Sequence, residues 1–151
     1  EKCLQKGIKI EFLELVVGLD TFRPVKVQNI EKHKMHSESF HVPDKTIAAC
    51  RDAKRVIAVG TTTVRALETS ALQGSTGRSQ LFIREPFEFK VVDLLLTNFH
   101  LPRSTLLVMI DAFIGSRWRY LYELALAENY RFLSFGDAML IENKKRLIGE
   151  S

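Results

Sequence analysis

The 151-residue chain has little of what would place it outside the ordinary globular class. Its two cysteines, Cys3 and Cys50, lie far apart, which excludes a disulfide framework and suits a reducing compartment. No apolar run reaches the roughly 18 residues of a membrane span; the longest, around Leu106 to Ile114, is interrupted by Asp111. The start, Glu1-Lys2-Cys3-Leu4-Gln5-Lys6, lacks the apolar core of a signal peptide, and the chain lacks an initiator Met. These absences lead to the expectation of a cytoplasmic chain with no membrane partner, and of a piece of a longer protein. Neither sign of charge dominates: 22 Lys and Arg face 18 Asp and Glu, and the net charge of +4 permits an anionic partner without requiring one. A hydrophobic content of 46% with mixed charges excludes disorder and supplies enough apolar material for one domain with its own core. There is no internal repeat or low-complexity tract.

The punctuation of the chain predicts alternating elements. Gly7 stops an opening helix, and Ile8 to Val17 reads as a strand entering a buried sheet, followed by a loop over Gly18 to Pro24. Ser39-Phe40-His41-Val42 is a short strand ended by Pro43, and Ile47, Ala48, Cys50 and Ala53 make one weak helical face. Arg55 to Val59 is a β-branched strand, and the helix after it carries Val64, Leu67, Ala71 and Leu72 at spacings of three and four. Gln73 to Ser79 reads as a disordered loop. Leu81-Phe82-Ile83 and Phe87 to Val92 read as strands, the run ending at Gly115 and the stretch from Trp118 to Ala127 as helices, and Ala138 to Ile141 as the last strand. Strands alternating with helices predict an α/β layered domain with a largely parallel sheet and flanking helices. Its expected extent is 1–141, with 142–151 as a charged C-terminal tail.

Several polar groups stand where chemistry is feasible. The turn Gly60-Thr61-Thr62-Thr63 joins a strand to a helix, and a helix N-terminus there offers unpaired amides to an anion. It is not a P-loop, because the second Gly and the Lys are missing; the plainer alternative is a Thr N-cap. Arg65 and Glu68 fit a simple surface pair one turn apart, unless Arg65 faces the same mouth as the threonines. Asn98, His100, Arg103, Ser104 and Thr105 leave the end of a strand together, with a helix cap by Ser104 or Thr105 explaining only part of the group. His33 and His36 lack a third ligand at metal spacing, so no metal is expected. His36 beside Ser37 and Glu38 is an acid–base candidate or an exposed polar turn. Arg117-Trp118-Arg119-Tyr120 interleaves cations with aromatics as single-strand nucleic-acid surfaces do, or packs Trp118 and Leu121 inward. Asp137 either holds a ribose hydroxyl or caps a turn.

Five strings occur in register: Thr21-Phe22-Arg23-Pro24-Val25, His33-Lys34-Met35-His36-Ser37-Glu38, Arg55 through Glu68, Thr97 through Leu106, and Tyr130-Arg131-Phe132 with Gly136-Asp137-Ala138-Met139. Together they resemble the S-adenosylmethionine:tRNA ribosyltransferase-isomerase family of queuosine biosynthesis, from Gly7 to Ile141. The resemblance implies the C-terminal part of a longer enzyme, with a β-barrel domain and the rest of the α/β domain upstream. It implies transfer of the ribosyl part of S-adenosylmethionine, as co-substrate, to 7-aminomethyl-7-deazaguanine at the tRNA wobble position. Epoxyqueuosine forms, with release of adenine and methionine. The roles it suggests are acid–base work for His36 and His100, with Glu38 as alternative. Thr61, Thr62, Thr63 and Arg65 would contact S-adenosylmethionine or phosphate, and Asn98, Arg103, Ser104 and Asp137 would orient the ribose or target base. One departure is Val16 and Asp20, where the family pattern carries His and Gly. It keeps open a paralogous transferase acting on another nucleoside. A non-catalytic tRNA-binding domain, using Arg117, Trp118, Arg119 and the Lys144-Lys145-Arg146 tail, is the other alternative. The isolated segment is expected to be inactive, and self-association through surface meant for the absent portion is expected of it.

Overall fold

Gly60 turns the chain directly from a strand into a helix. The computed structural model describes residues 1–18, 35 and 37–144. Strand β3 (Ile57–Val59) ends at Gly60, whose φ of +89° favours glycine, and helix α3 (Thr61–Gln73) begins on the next residue. The other helices are α1 (Lys2–Gln5), α2 (Asp44–Asp52), α4 (Thr105–Ile114) and α5 (Arg117–Ala127). The remaining strands are β1 (Glu14–Leu15), β2 (Glu38–His41), β4 (Thr76–Ser79), β5 (Leu94–Asn98) and β6 (Ala138–Glu142).

Two three-stranded sheets result. In one, β2 lies between β1 and β4, antiparallel to both. In the other, β5 lies between β3, to which it is parallel, and β6, to which it is antiparallel. Helix α3 contacts strands of both sheets, and every residue from Val64 to Thr69 is buried. That position explains why its two charged residues are not a surface pair. Arg65 is directed to Glu38 of β2. Glu68 accepts hydrogen bonds from the amides of Lys90 (2.8 Å), Val91 (3.0 Å) and Val92 (3.0 Å). Burial pushes the Glu68 carboxyl up, and those amides pull it back toward the charged form. The common core joins Phe40, Val64, Leu67, Leu95, Ile110 and Phe113, so both sheets and α3 and α4 share one apolar interior.

The α/β class holds, but the sheet is less parallel than expected: β3 and β5 are the parallel neighbours among the described residues. The last strand returns antiparallel to β5, with both α4 and α5 lying between the two strands in sequence. Three further expectations are corrected. The apolar run from Ile8 forms a strand only at Glu14–Leu15, and Ile8, Ile10 and Phe12 are exposed. The segment 73–79 is not a disordered loop. Its second half is β4, whose side chains lack hydrophobic alternation but whose backbone pairs with β2, with Ser79 buried against Thr69 (Oγ–Oγ1 2.7 Å). Residues 81–92 form no strand; Ile83 and Val92 are in the core, while the amides at 90–92 serve Glu68 instead of a ladder. The sheet strand starts later, at Leu94. At the C-terminal side β6 runs through Glu142, and Asn143 is buried with its amide bonded to the Asp93 carbonyl (2.9 Å).

An unpaired buried donor costs roughly 1–3 kcal/mol. Glu68→Ala should therefore lower the unfolding free energy by about 3 kcal/mol, and Glu68→Gln by less, in urea titrations. A loss from Glu68→Ala within experimental error of zero would show that the three amides find other acceptors.

Candidate ligand-binding cleft

Parallel neighbours place their carboxyl ends on the same sheet edge, and in α/β sheets ligands gather at that edge. Here β3 and β5 are such neighbours, and the Gly60 amide extends their ladder by donating to the Leu96 carbonyl (2.8 Å). From β3 the chain enters α3; from β5 it passes through residues 99–104 into α4. Ser104 caps α4, its Oγ accepting from the Leu107 amide (3.2 Å) and donating to the Leu101 carbonyl (2.8 Å). The first turns of both helices then meet in one cleft: Thr61, Thr62 and Arg65 from α3 and Thr105 from α4 line it, together with Met35 and Phe82. Two helix N-termini polarise this place positively. Thr63 stands apart, its hydroxyl donating to the Val59 carbonyl (2.7 Å) and bracing the turn.

Arg65 is 4% exposed and Glu38 2% exposed, and the two form a buried ion pair. Glu38 Oε1 also accepts from the Gly18 amide (3.3 Å). Desolvation lowers the Arg65 pKa from its ordinary value. Arg65 Nε has no hydrogen-bond partner among the described residues. Strand β2 and helix α3 are thus tied together at the wall of the cleft, with Glu38 next in sequence to the His36-Ser37 pair. His36 itself lies outside the described residues, as do Asp20 and the string from Thr21 to Val25; Val16 is exposed.

A second group forms around the end of β5. His100 is half-buried, its Nε2 2.9 Å from Thr97 Oγ1, and its amide donates to the Tyr122 hydroxyl (2.8 Å). Desolvation lowers its pKa to about 4, so the imidazole is neutral at pH 7. Asn98 Nδ2 donates to the Asp137 carbonyl (3.0 Å), fixing the last pair of the β5–β6 ladder. The Asp137 carboxylate accepts from the Arg131 amide (2.5 Å) and from Arg131 Nε (3.2 Å), and that guanidinium holds its pKa below the usual carboxylate range. Gly136 has φ +129°, a backbone conformation that favours glycine. Arg103 is exposed with φ +58°.

The cleft is therefore lined by the sequence candidates Thr61, Thr62, Arg65 and Thr105, with the candidate Glu38 paired to Arg65, while the second group lies at the same end of β5. Ser104 takes its capping alternative, and Asp137 ties a turn. Sequence reading did not single out Thr97, Tyr122 or Arg131 as partners; a threonine three residues before a histidine was the available signal for the first. In the Arg117–Tyr120 run, Trp118 packs against the core, its indole N–H donates to Asp111 Oδ1 (2.6 Å), and Arg119 stacks 4.6 Å from its ring centroid. Among the described residues there is no cluster of three metal-ligating side chains, and no helix is long and apolar enough to cross a membrane.

The cleft lies at the carboxyl edge of a mixed sheet, between two helix N-termini and beside a buried arginine, and the fold is of the α/β class. The family model described as "Queuosine biosynthesis protein" matches residues 1–141. The chain belongs to that family. It is 51% identical to the S-adenosylmethionine:tRNA ribosyltransferase-isomerase of Thermotoga maritima and 52% identical to that of Thermus thermophilus. Those alignments cover 93% of the chain and 45% and 44% of the relatives, so the chain spans less than half their length. The solved S-adenosylmethionine tRNA ribosyltransferase of Thermotoga maritima superposes with a TM-score of 0.65 at 50% identity, over 69% of this chain and 40% of that one.

Removing one partner of a buried ion pair strands the other, at a cost of about 3–5 kcal/mol. Arg65→Met and Glu38→Leu should each destabilise by that order, and the double variant by less than the sum, in denaturant titrations. Additive losses would mean that the pair is not coupled. For His100, both folded and unfolded imidazoles are neutral above about pH 6.5. Between there and about 4 only the unfolded state takes up a proton, so stability is full above that window and falls as pH drops through it. Between pH 7 and pH 5 the chain should lose more stability than its His100→Gln variant does; equal losses would place the His100 imidazole in water.

Proposed function

We propose that the protein containing this chain is a tRNA-modifying transferase-isomerase. In this reading it transfers the ribosyl part of S-adenosylmethionine to 7-aminomethyl-7-deazaguanine at the wobble position of tRNA and rearranges it to epoxyqueuosine, releasing adenine and methionine. The observation that carries the reading is identity near one half to relatives of that name, with the strings from Arg55 and from Thr97 meeting in one cleft. The reaction takes place in the cytoplasm, and an upstream β-barrel with the remainder of the α/β domain completes the protein.

The residues then divide by what their surroundings allow. Thr61, Thr62 and Arg65 take the anionic or polar end of S-adenosylmethionine, because they line the cleft where helix amides favour oxygen acceptors. Thr63 supports them by fixing the turn. Glu38 acts through Arg65, holding the guanidinium against the cleft, while His36 remains the acid–base group on the adjoining segment. His100, neutral at working pH, takes up a proton to become imidazolium or donates a hydrogen bond as the uncharged ring. Asn98 and Asp137 shape the end of the strand, Ser104 fixes the α4 entry, and exposed Arg103 reaches for the ribose or target base.

The test uses the full-length protein with tRNA and S-adenosylmethionine, reading adenine release and the mass of the wobble nucleoside. Adenine release with epoxyqueuosine in the tRNA is the expected result. Adenine release with a different product would reassign the nucleoside, and tRNA binding without adenine release would make the protein a binding module. Removal of a general acid–base group typically loses about 100-fold or more in rate, so His100→Ala should lower turnover by that order. Thr62→Ala should lower it about tenfold, the equivalent of one hydrogen bond. Turnover near wild type in both would remove them from the mechanism.

A further inference from the structure

Thr97 follows Leu95 on the core-facing side of β5, and it is only 5% exposed. A hydroxyl in that position costs free energy unless it is hydrogen-bonded, and valine would fill the same space without one. Its side-chain partner is the His100 ring, with Oγ1 2.9 Å from Nε2, and among the described residues it has no other. The direction of that bond follows from what each group can do. A neutral imidazole carries one N–H and one bare nitrogen, whereas a hydroxyl both donates and accepts. If Nε2 donated, the Thr97 proton would be left in the core without an acceptor, which is costly. If the hydroxyl donates, its proton is satisfied and the imidazole proton resides on Nδ1.

The backbone around the ring is held as firmly. The His100 amide donates to the Tyr122 hydroxyl (2.8 Å), and the Leu133 amide donates to the Phe99 carbonyl (2.9 Å). Tyr122 is buried and meets Phe99 and Phe132 edge to face, with ring centroids 5.4 and 5.6 Å away. His100 is thereby anchored at its amide and at Nε2. Nδ1 has no partner among the described residues and is not sealed from solvent, so it is the open atom of the ring. A nitrogen that already carries a proton cannot accept another, but a neutral imidazole can polarise an acceptor through its N–H. We infer that Thr97 is the positioning residue of His100: its hydroxyl donates to Nε2 and fixes the Nδ1–H tautomer, so that His100 offers a neutral N–H donor, and not a base, to an acceptor nitrogen or oxygen of a nucleoside. This rests on the proposed reaction for the ligand and for the part His100 takes in it. It selects one of the two roles open to the ring and adds Thr97 to the site.

The experiment places isotope-labelled histidine in the full-length protein and reads the proton–nitrogen correlations of the His100 ring by NMR at neutral pH, assigned by their loss in His100→Gln. A protonated Nδ1 beside a bare Nε2 is expected; a protonated Nε2 in the native protein would overturn the inference. Thr97→Val removes the donor at nearly constant shape. It should move the ring proton toward Nε2 and lower kcat for adenine release about tenfold, the equivalent of one hydrogen bond, with KM within about twofold. Thr97→Ser keeps the hydroxyl and should restore both the tautomer and kcat to within about threefold. A tautomer unchanged in Thr97→Val would overturn the inference, and so would a Thr97→Ser variant as slow as Thr97→Val. Should Thr97→Val not fold, Thr97→Ala removes the same hydroxyl. The Nδ1–H tautomer, lost in Thr97→Val, in a protein that releases no adenine would leave this arrangement standing while sinking the proposed reaction, so the two failures are distinguishable.

Discussion

The ion pair between Arg65 and Glu38 ties helix α3, which contacts both sheets, to strand β2. Helix α3 is buried along its middle, so neither it nor β2 can turn a charged residue toward water. A lone charge in that setting would be expelled or neutralised; paired, it fixes the distance between strand and helix. Glu68, one turn further along α3, does the same toward the segment before β5 by collecting three amides. One helix thereby sets the positions of β2 and of the approach to β5. The cleft at its N-terminus inherits that rigidity, which a loop-borne site would lack.

Local signals made much of the frame legible. Gly60, Ser104, Gly115 and Pro43 stand at element ends because their backbone or capping chemistry is local, and α2, α3, α4 and α5 follow from spacing. What local signals could not reveal was pairing. Strand β4, Thr-Gly-Arg-Ser, has no apolar alternation and exists because β2 offers it a ladder, with Arg78 bonding Ser37 (2.8 Å) across the pair. The run from Leu81 to Val92 has the composition of strands yet gives its amides to a carboxylate. Ile8 to Phe12 alternates as a buried strand would and lies exposed, since alternation records what a segment is suited to and not what lies beside it.

The same distinction governs the site. The threonine turn, His100 and the Asn98–Thr105 segment were readable as residue types in suggestive places. Their convergence depends on β3 and β5 being parallel neighbours, a tertiary fact. The partner of Arg65 was also hidden, because i, i+3 spacing to Glu68 is the natural expectation on a solvated helix. Burial reverses that expectation: each charge seeks its own distant partner, and the helix gains two tethers where one surface pair would have given none.

Trp118 is the only tryptophan in the chain. Its ring meets Tyr122 edge to face at 5.5 Å, and the Tyr122 hydroxyl holds the amide of His100. Phe99, the neighbour of that histidine, packs in turn against Tyr122, Tyr130 and Phe132. The indole is therefore wired by aromatic contact to the turn at the end of β5. Its emission is a built-in optical gauge of that turn, sensitive to rearrangement around His100 without any attached label.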